Sequence, residues 1–386
     1  MFRSAAIRTA AAVRTSATAR YPAMTSSATF RAVQIRFNST DSDKPVVKPN
    51  IKLIAEIRKA IEGVSMLKAK EALIQTDNNL DKALEWILED EAKTGLKKAE
   101  KLKGRQALEG LVGVVVGEAS PQGNRGAIVE LNCETDFVSR NDLFKNLVTQ
   151  IASTALLAAD GAAKPSANAK GLVHEVPVPD LLQAPLMPDP ASTEVLEYTT
   201  VQEAITKLIA KLGENISLRR CAVVQLPARQ RGLILTGGAT HGGDKHAYAG
   251  KVGALSVLNL VSKENAAKII VPSEAATTLS RQLTRHLIAS PSEVIYQDDI
   301  NVPLEVSNGG HAPPEQVDAW LDERVLMRQP FIFGGGKVEQ IINKLAKDEK
   351  LRIKVTDAVR WERGEGMVKA DAPDFAEEVR RQIENK

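Results

Sequence analysis

Apolar residues first recur with a helical period. Ile51, Ile54, Ile57 and Ile61 form one stripe, ended by Gly63. Ser65 is placed to cap a second helix that buries Met66, Ala69, Leu73 and Ile74. Asn78 or Asn79 stops it, and Leu80, Ala83, Leu84, Ile87 and Leu88 face inward on a third. Lysines at 93, 97, 98, 101 and 103, with few large apolar groups between them, predict a solvated linker helix over 93–107. The pattern then changes. Two short apolar runs, 111–116 and 127–133, flank a turn from Gly117 to Arg125 and predict an antiparallel hairpin. After Ser139 the spacing of Leu143, Phe144, Leu147, Val148 and Ile151 is helical again. Thr135, Asp136, Phe137 and Val138 therefore occupy a corner where a strand gives way to a helix.

Six prolines between residues 160 and 193 rule out a sustained helix or central strand, so this segment reads as a surface excursion. Helical spacing resumes at Val201, Ala204, Ile205, Leu208 and Ile209. It ends at Gly213, and strands begin with 216–225. The run Gly126-Ala-Ile-Val-Glu-Leu-Asn-Cys133 is echoed by Gly253-Ala-Leu-Ser-Val-Leu-Asn-Leu260, with four of eight positions identical. A hairpin precedes each copy and an amphipathic helix follows, over 141–153 and 275–290. That shared order implies two related α+β subdomains, each an antiparallel sheet with helices on one side.

Composition changes the electrostatic picture. The 386 residues suffice for two or three domains, 43% hydrophobic content is ordinary, and no apolar run reaches membrane-spanning length. Residues 1–40 contain six arginines, many Ala, Ser and Thr, and no lysine or acid, the composition of a mitochondrial transit peptide cleaved near 36–39. Removing six arginines from a balance of +3 leaves −3, which gives no support to direct nucleic-acid binding. Cys133 and Cys221 both lie in apolar strand-like runs outside any CxxC or Cys/His cluster. They read as buried free thiols, with a disulfide between them left open.

Two glycine-rich segments invite an enzymatic reading. Gly334-Gly335-Gly336-Lys337 lacks the first glycine of a phosphate-binding loop, Phe331 standing there, and has Val338 where Ser or Thr would ligate magnesium. His241, Asp244 and His246 lie among glycines that would leave metal ligands unanchored, so a hairpin loop is the better reading. No Ser/His/Asp or Cys/His arrangement is legible among five scattered histidines. The expectation is a binding protein rather than an enzyme, with no cofactor.

The stretch VELNCETDFVSRND resembles the signature of the elongation factor Ts family, nucleotide-exchange factors for elongation factor Tu. The segment from 53 to 87 is similar to the ubiquitin-associated-type module that begins family members. RHLIASPSEVI, LMRQPFIF, VTDAVRWERGEGM and DFAEEV have counterparts in the same order, so the resemblance covers roughly 51–386 with gaps at 160–193 and 291–320. In bacterial members the second gap holds a coiled-coil hairpin. Here Pro303, Pro313, Pro314 and Gly309-Gly310 speak against one.

The expected fold class is α+β: an N-terminal three-helix ubiquitin-associated-like bundle, then a duplicated core of two antiparallel-sheet-plus-helix subdomains. The expected organisation is a transit peptide over 1–40, helical module 48–92, linker helix 93–107, first core subdomain 108–200, second 201–345, and a C-terminal strand and helix module 346–386. Read from the residues alone, Phe137 is a core aromatic sealing the sheet–helix junction, Asp136 is a helix cap, and Gly213 is a C-cap with Leu212 beside it. The resemblance instead implies that Thr135, Asp136, Phe137 and Val138 reach the partner's nucleotide site and dislocate its magnesium ion. It also implies that Leu212 and Gly213 make a second contact. A histidine of bacterial members has as its counterpart either His246 or Tyr248. The implied partner is mitochondrial elongation factor Tu, GDP-bound and nucleotide-free, in a 1:1 heterodimer within the matrix, with neither nucleic acid nor membrane involved. An interaction adaptor built on the helical module is the alternative, and a glycine-loop nucleotide enzyme ranks third.

Overall fold

The computed structural model describes residues 48–61, 64–118, 120–158, 171–188, 199–227, 231–243, 248–265 and 269–368. The expected transit peptide, Gly63, Asp244, His246, residues 160–170 and 189–193 of the proline-rich excursion and the DFAEEV segment lie outside them.

Three helices open the described chain: α1 (Ile51–Ala60), α2 (Met66–Gln75) and α3 (Leu80–Leu102). Asn50, Ser65 and Asn79 cap them, each side chain accepting a backbone N–H of the first turn. Asp77 and Asn78 adopt left-handed backbone between α2 and α3, a conformation that short polar side chains tolerate. Ile54, Ile57, Ala69, Leu73, Ala83 and Ile87 form the bundle's core. Ile51, Met66, Ile74 and Leu88 are exposed, so the inward stripe is narrower than the sequence spacing suggested.

Beyond residue 92 no separate linker helix begins, because α3 runs on to Leu102. Its lysines face solvent. Its other side, however, packs on helix α7 (Val201–Leu212): Ala99 and Leu102 join the main core, and Lys98 Nζ donates to the Ala210 carbonyl. A Cβ at Gly95 would lie 3.2 Å from that of Ala210, so glycine sets the close approach. A single helix thus carries both the bundle core and part of the next.

Strands β1 (Glu109–Val116) and β2 (Gly126–Cys133) form the expected hairpin, paired Glu109↔Cys133 through Val116↔Gly126. The short helix α4 (Asp136–Arg140) and α5 (Asp142–Ala158) follow, then β3 (Val173–Glu175) and α6 (Val178–Gln183). Strand β4 (Ile216–Val224) follows residue 201 in sequence yet pairs with β2 and β3. With β6 (Ala249–Gly250), these strands complete a first sheet ordered β3-β4-β2-β1-β6. The second sheet is β5-β7-β8, from β5 (Leu233–His241), β7 (Val252–Ser262) and β8 (Leu351–Glu362). Helix α8 (Glu274–Ala289) follows β7; the short α9 (Leu304–Ser307), α10 (Pro314–Arg324) and α11 (Val338–Asp348) precede β8. No long helical hairpin occupies 291–320.

The two sheets pack back to back. Alternate β2 residues (Ala127, Val129, Leu131, Cys133) meet α5 and α7, while Ile128 joins Val112, Val114, Ala222, Ile234, Leu255, Val257 and Trp361 between the sheets. Helices α8 and α11 cover the outer face of the second sheet. Every residue of β2 is buried, as expected of a strand covered on both faces. Both repeat glycines have the same reason: a Cβ at Gly126 would meet Leu255 at 2.9 Å, and one at Gly253 would meet Val112 at 2.6 Å. This is an α+β fold, a duplicated sheet-plus-helix core preceded by a helical bundle.

Candidate functional site at the strand–helix corner

Strand β2 ends at Cys133 and only Glu134 and Thr135 separate it from α4. Thr135 caps the helix, its Oγ1 accepting the Val138 N–H at 3.4 Å. Asp136 is therefore the first helical residue rather than the cap. Its carboxylate is favoured at the helix N-terminus and pairs with Arg140 at 3.0 Å. Both partners are well exposed, and such pairs contribute at most about 1 kcal/mol, so the pair opens readily.

Helical geometry turns the next two side chains about 100° apart, enough to give them different surroundings. Val138, expected as a contact residue, is only 7% exposed and joins the core with Phe144 and Leu147. Phe137 is 81% exposed. It does not seal the sheet–helix junction, and Val138 fills that place. An aromatic ring left this far in water on a well-anchored corner is poised to meet a partner.

The second predicted element lies against the first. Gly213 ends α7 in left-handed backbone, φ +76°, and a Cβ there would touch nothing, so its surface is open. Glu214 reaches the corner: its two carboxylate oxygens accept the Thr135 N–H at 3.0 Å and the Thr135 O–H at 2.6 Å. In return Glu134 accepts the Asn215 N–H at 2.7 Å. Asn215 Nδ2 donates to the Arg105 carbonyl, and Arg105 lies 3.5 Å from Glu134. The segments around Thr135–Val138 and Leu212–Gly213 are thus held side by side. The sequence signal for this support is an acid directly after a C-cap glycine, Glu214, and another directly before Thr135, Glu134.

Tyr248 stands apart. Its carbonyl accepts the Val114 N–H, and β6 pairs with Val112 and Gly113 on the side of β1 away from β2. Glu109, not Val114, faces Cys133, so Tyr248 lies about 17 Å along the strands from the corner. Its ring is half exposed.

Cys133 and Cys221 are free and buried. Val129, not Cys133, faces Cys221 across the ladder, which puts the thiols about 13 Å apart and excludes the disulfide. Burial pushes both thiols up to about 12; at Cys133 the nearby Glu214 and Glu109 carboxylates add to the effect. Lys337 of the glycine-rich turn is held by both oxygens of Asp322, at 2.8 and 3.0 Å, so it serves as a structural ion pair. Among the described residues no group of three His, Cys, Asp or Glu is placed to hold a metal ion.

The family model described as elongation factor TS matches residues 134–308, which begins at this corner. The chain is 38% identical to the mitochondrial elongation factor Ts of Coprinopsis cinerea over 258 residues, 64% of this chain and 74% of that one. It is 31% identical to the mitochondrial elongation factor Ts of Mycosarcoma maydis over 405 residues, covering 86% and 89% of the two. The chain belongs to the elongation factor Ts family. A bacterial elongation factor Ts, from Methylorubrum populi, is 32% identical over 343 residues, 85% of this chain and 96% of its own. The family's role is in translation elongation.

Proposed function

We propose that this chain binds elongation factor Tu, in its GDP-bound and nucleotide-free forms, and promotes replacement of GDP by GTP. The observation that carries the reading is Phe137, 81% exposed on a corner otherwise tied down by hydrogen bonds. In a GTPase, backbone amides cradle the GDP phosphates and a magnesium ion neutralises them. A ring pushed between the elements holding that ion displaces its ligands. Asp136, once freed from Arg140, brings a negative charge toward the phosphates and further disfavours the anion. Leu212 and Gly213 offer a second contact on the same face, and Tyr248 one from the far edge of the sheet. Val138 acts from inside, as the anchor of the corner.

Linkage sets the scale. Weakening GDP affinity by about 10⁴ requires about 5.5 kcal/mol of coupling, which GDP returns by weakening the factor equally. One ring does not supply that, so the helical bundle and the second sheet are assigned the remaining contacts in a 1:1 heterodimer. The arginine-rich, acid-free start and the relatives named mitochondrial support a setting in the mitochondrial matrix, with mitochondrial elongation factor Tu as partner.

The test is release of fluorescent GDP from elongation factor Tu on mixing with the purified chain. Acceleration is expected, and Phe137→Ala should reduce it at least about tenfold, a loss of 1.4 kcal/mol in the transition state. Unchanged release by that variant rejects the wedge.

A further inference from the structure

We infer that Glu214 is a positioning residue for the wedge: its carboxylate fixes the proton of the Thr135 hydroxyl and thereby holds Phe137 in its outward orientation. The inference rests on the exchange reading above. A threonine hydroxyl has one proton to donate and lone pairs to accept with. An ionised carboxylate accepts only, so the 2.6 Å contact from Thr135 Oγ1 to Glu214 Oε1 requires the hydroxyl proton to point at Glu214. The lone pairs are then left facing α4, where Oγ1 accepts from Val138 N. The second carboxylate oxygen takes the Thr135 N–H. Both donors of the cap residue are thereby taken by one side chain from another element.

The effect on Phe137 is geometric. Thr135 is the last non-helical residue before α4, and the helix is a single short turn with little stability of its own. Val138 anchors it below, and the Glu214 grip fixes it at the start, so Phe137 has one direction in which to project. The reciprocal bond from Asn215 N to Glu134 stops the Gly213 turn from rotating away, and the Arg105 contacts tie both to the exit of α3. The two partner-facing elements move as one body.

The experiment measures GDP release against factor concentration for the full chain. Glu214→Ala is expected to lower the maximal rate about tenfold while the concentration giving half the maximal rate moves less than about twofold, since orientation rather than contact area is lost. Combined with Phe137→Ala it should lower the rate no further, because Glu214 acts through the ring. Native rates from Glu214→Ala, alongside an impaired Phe137→Ala, overturn the positioning role alone. Native rates from Phe137→Ala overturn the reading beneath it. Losses that multiply in the double variant assign Glu214 a separate contact and also overturn the inference. Should Glu214→Ala fail to melt cooperatively, Glu214→Gln is read in the same assay. Its amide offers one acceptor where two are needed, so native rates from that variant overturn the inference equally.

Discussion

The two copies of the strand–helix unit share a frame and differ in what directly follows the strand, ahead of the long helix. In the first, β2 and α4 are separated by Glu134 and Thr135, and both residues are hydrogen-bonded to the α7–β4 turn. In the second, residues 263–273 intervene between β7 and α8, Ser262 Oγ accepts the N–H groups of Glu264 and Asn265, and Ile269 and Val271 lie in solvent. A two-residue joint leaves few torsions free, so it aims the helix beyond it; a long one covers distance and aims nothing. Duplication supplied the scaffold twice, and the direction of one ring was set by the shorter joint.

The sharpest way to test that contrast is to remove two phenylalanines from the same copy. Phe144, fully buried beneath the sheet, should cost about 3–5 kcal/mol of stability as Phe144→Ala. Phe137→Ala should change stability by less than about 0.5 kcal/mol while impairing exchange. Urea unfolding of both variants gives the two numbers, and comparable losses would make Phe137 a structural residue.

A smaller effect probes how the copies are joined to each other. Glu130 on β2 is fully buried and meets Arg219 at 2.9 Å and Arg220 at 2.6 Å. Both arginines reach it because the β2–β4 ladder skips Arg219, placing an extra residue at that register. The same carboxylate accepts the Gly364 N–H at 2.7 Å, and Arg220 stacks on Trp361 at 4.4 Å, so the end of β8 is fastened to the first sheet. Glu130→Ala leaves buried donors unpaired and should cost about 3 kcal/mol, the low end for a broken buried pair because both arginines are partly wetted. Denaturant melts with near-native midpoints would show the fastening to be dispensable.

The smallest effect separates the copies by pH. His286 of α8 is buried in the second core and bonded to Gln329, whose amide N–H groups donate to the Pro291 and Glu323 carbonyls. Gln329 Oε1 is thus the acceptor, His286 Nε2 the donor, and Nδ1 faces the Ile332 N–H. Burial lowers the His286 pKa, opposed by the Gln329 bond. The unfolded chain therefore binds this proton first, and its contribution is lost as pH falls below about 6.5. The unfolding free energy from pH 7 to 5, from urea melts at each pH, should fall less steeply for His286→Gln, by at most about 1.4 kcal/mol per pH unit. Identical slopes would remove His286 as the titrating group. Among the described residues the first core buries no histidine.

Local pattern carried much of this architecture. The Ala127–Cys133 run alternates between two buried faces, and Gly213 ends α7 in the left-handed conformation its position suggested. Partners chosen across long separations were not legible. Nothing local says that β4 turns back to β2 while β8, roughly ninety residues after β7, completes the other sheet. Lysine spacing described the wet side of α3 but not Gly95, which lets the dry side dock. At the corner, a helix period cannot tell whether Phe137 or Val138 turns inward, because both follow the cap. Burial makes that choice, leaving Phe137 exposed and Val138 in the core.

The Glu130 fastening also orders events in time. Until residues 361–365 have been made, Arg219 and Arg220 hold an acid whose remaining partners do not yet exist, and the inner face of β2 lacks Trp361. A nascent chain can assemble its first sheet early, but that sheet locks only when the late strand arrives. Any fragment truncated ahead of Trp361 should accordingly behave as a half-latched, protease-sensitive species.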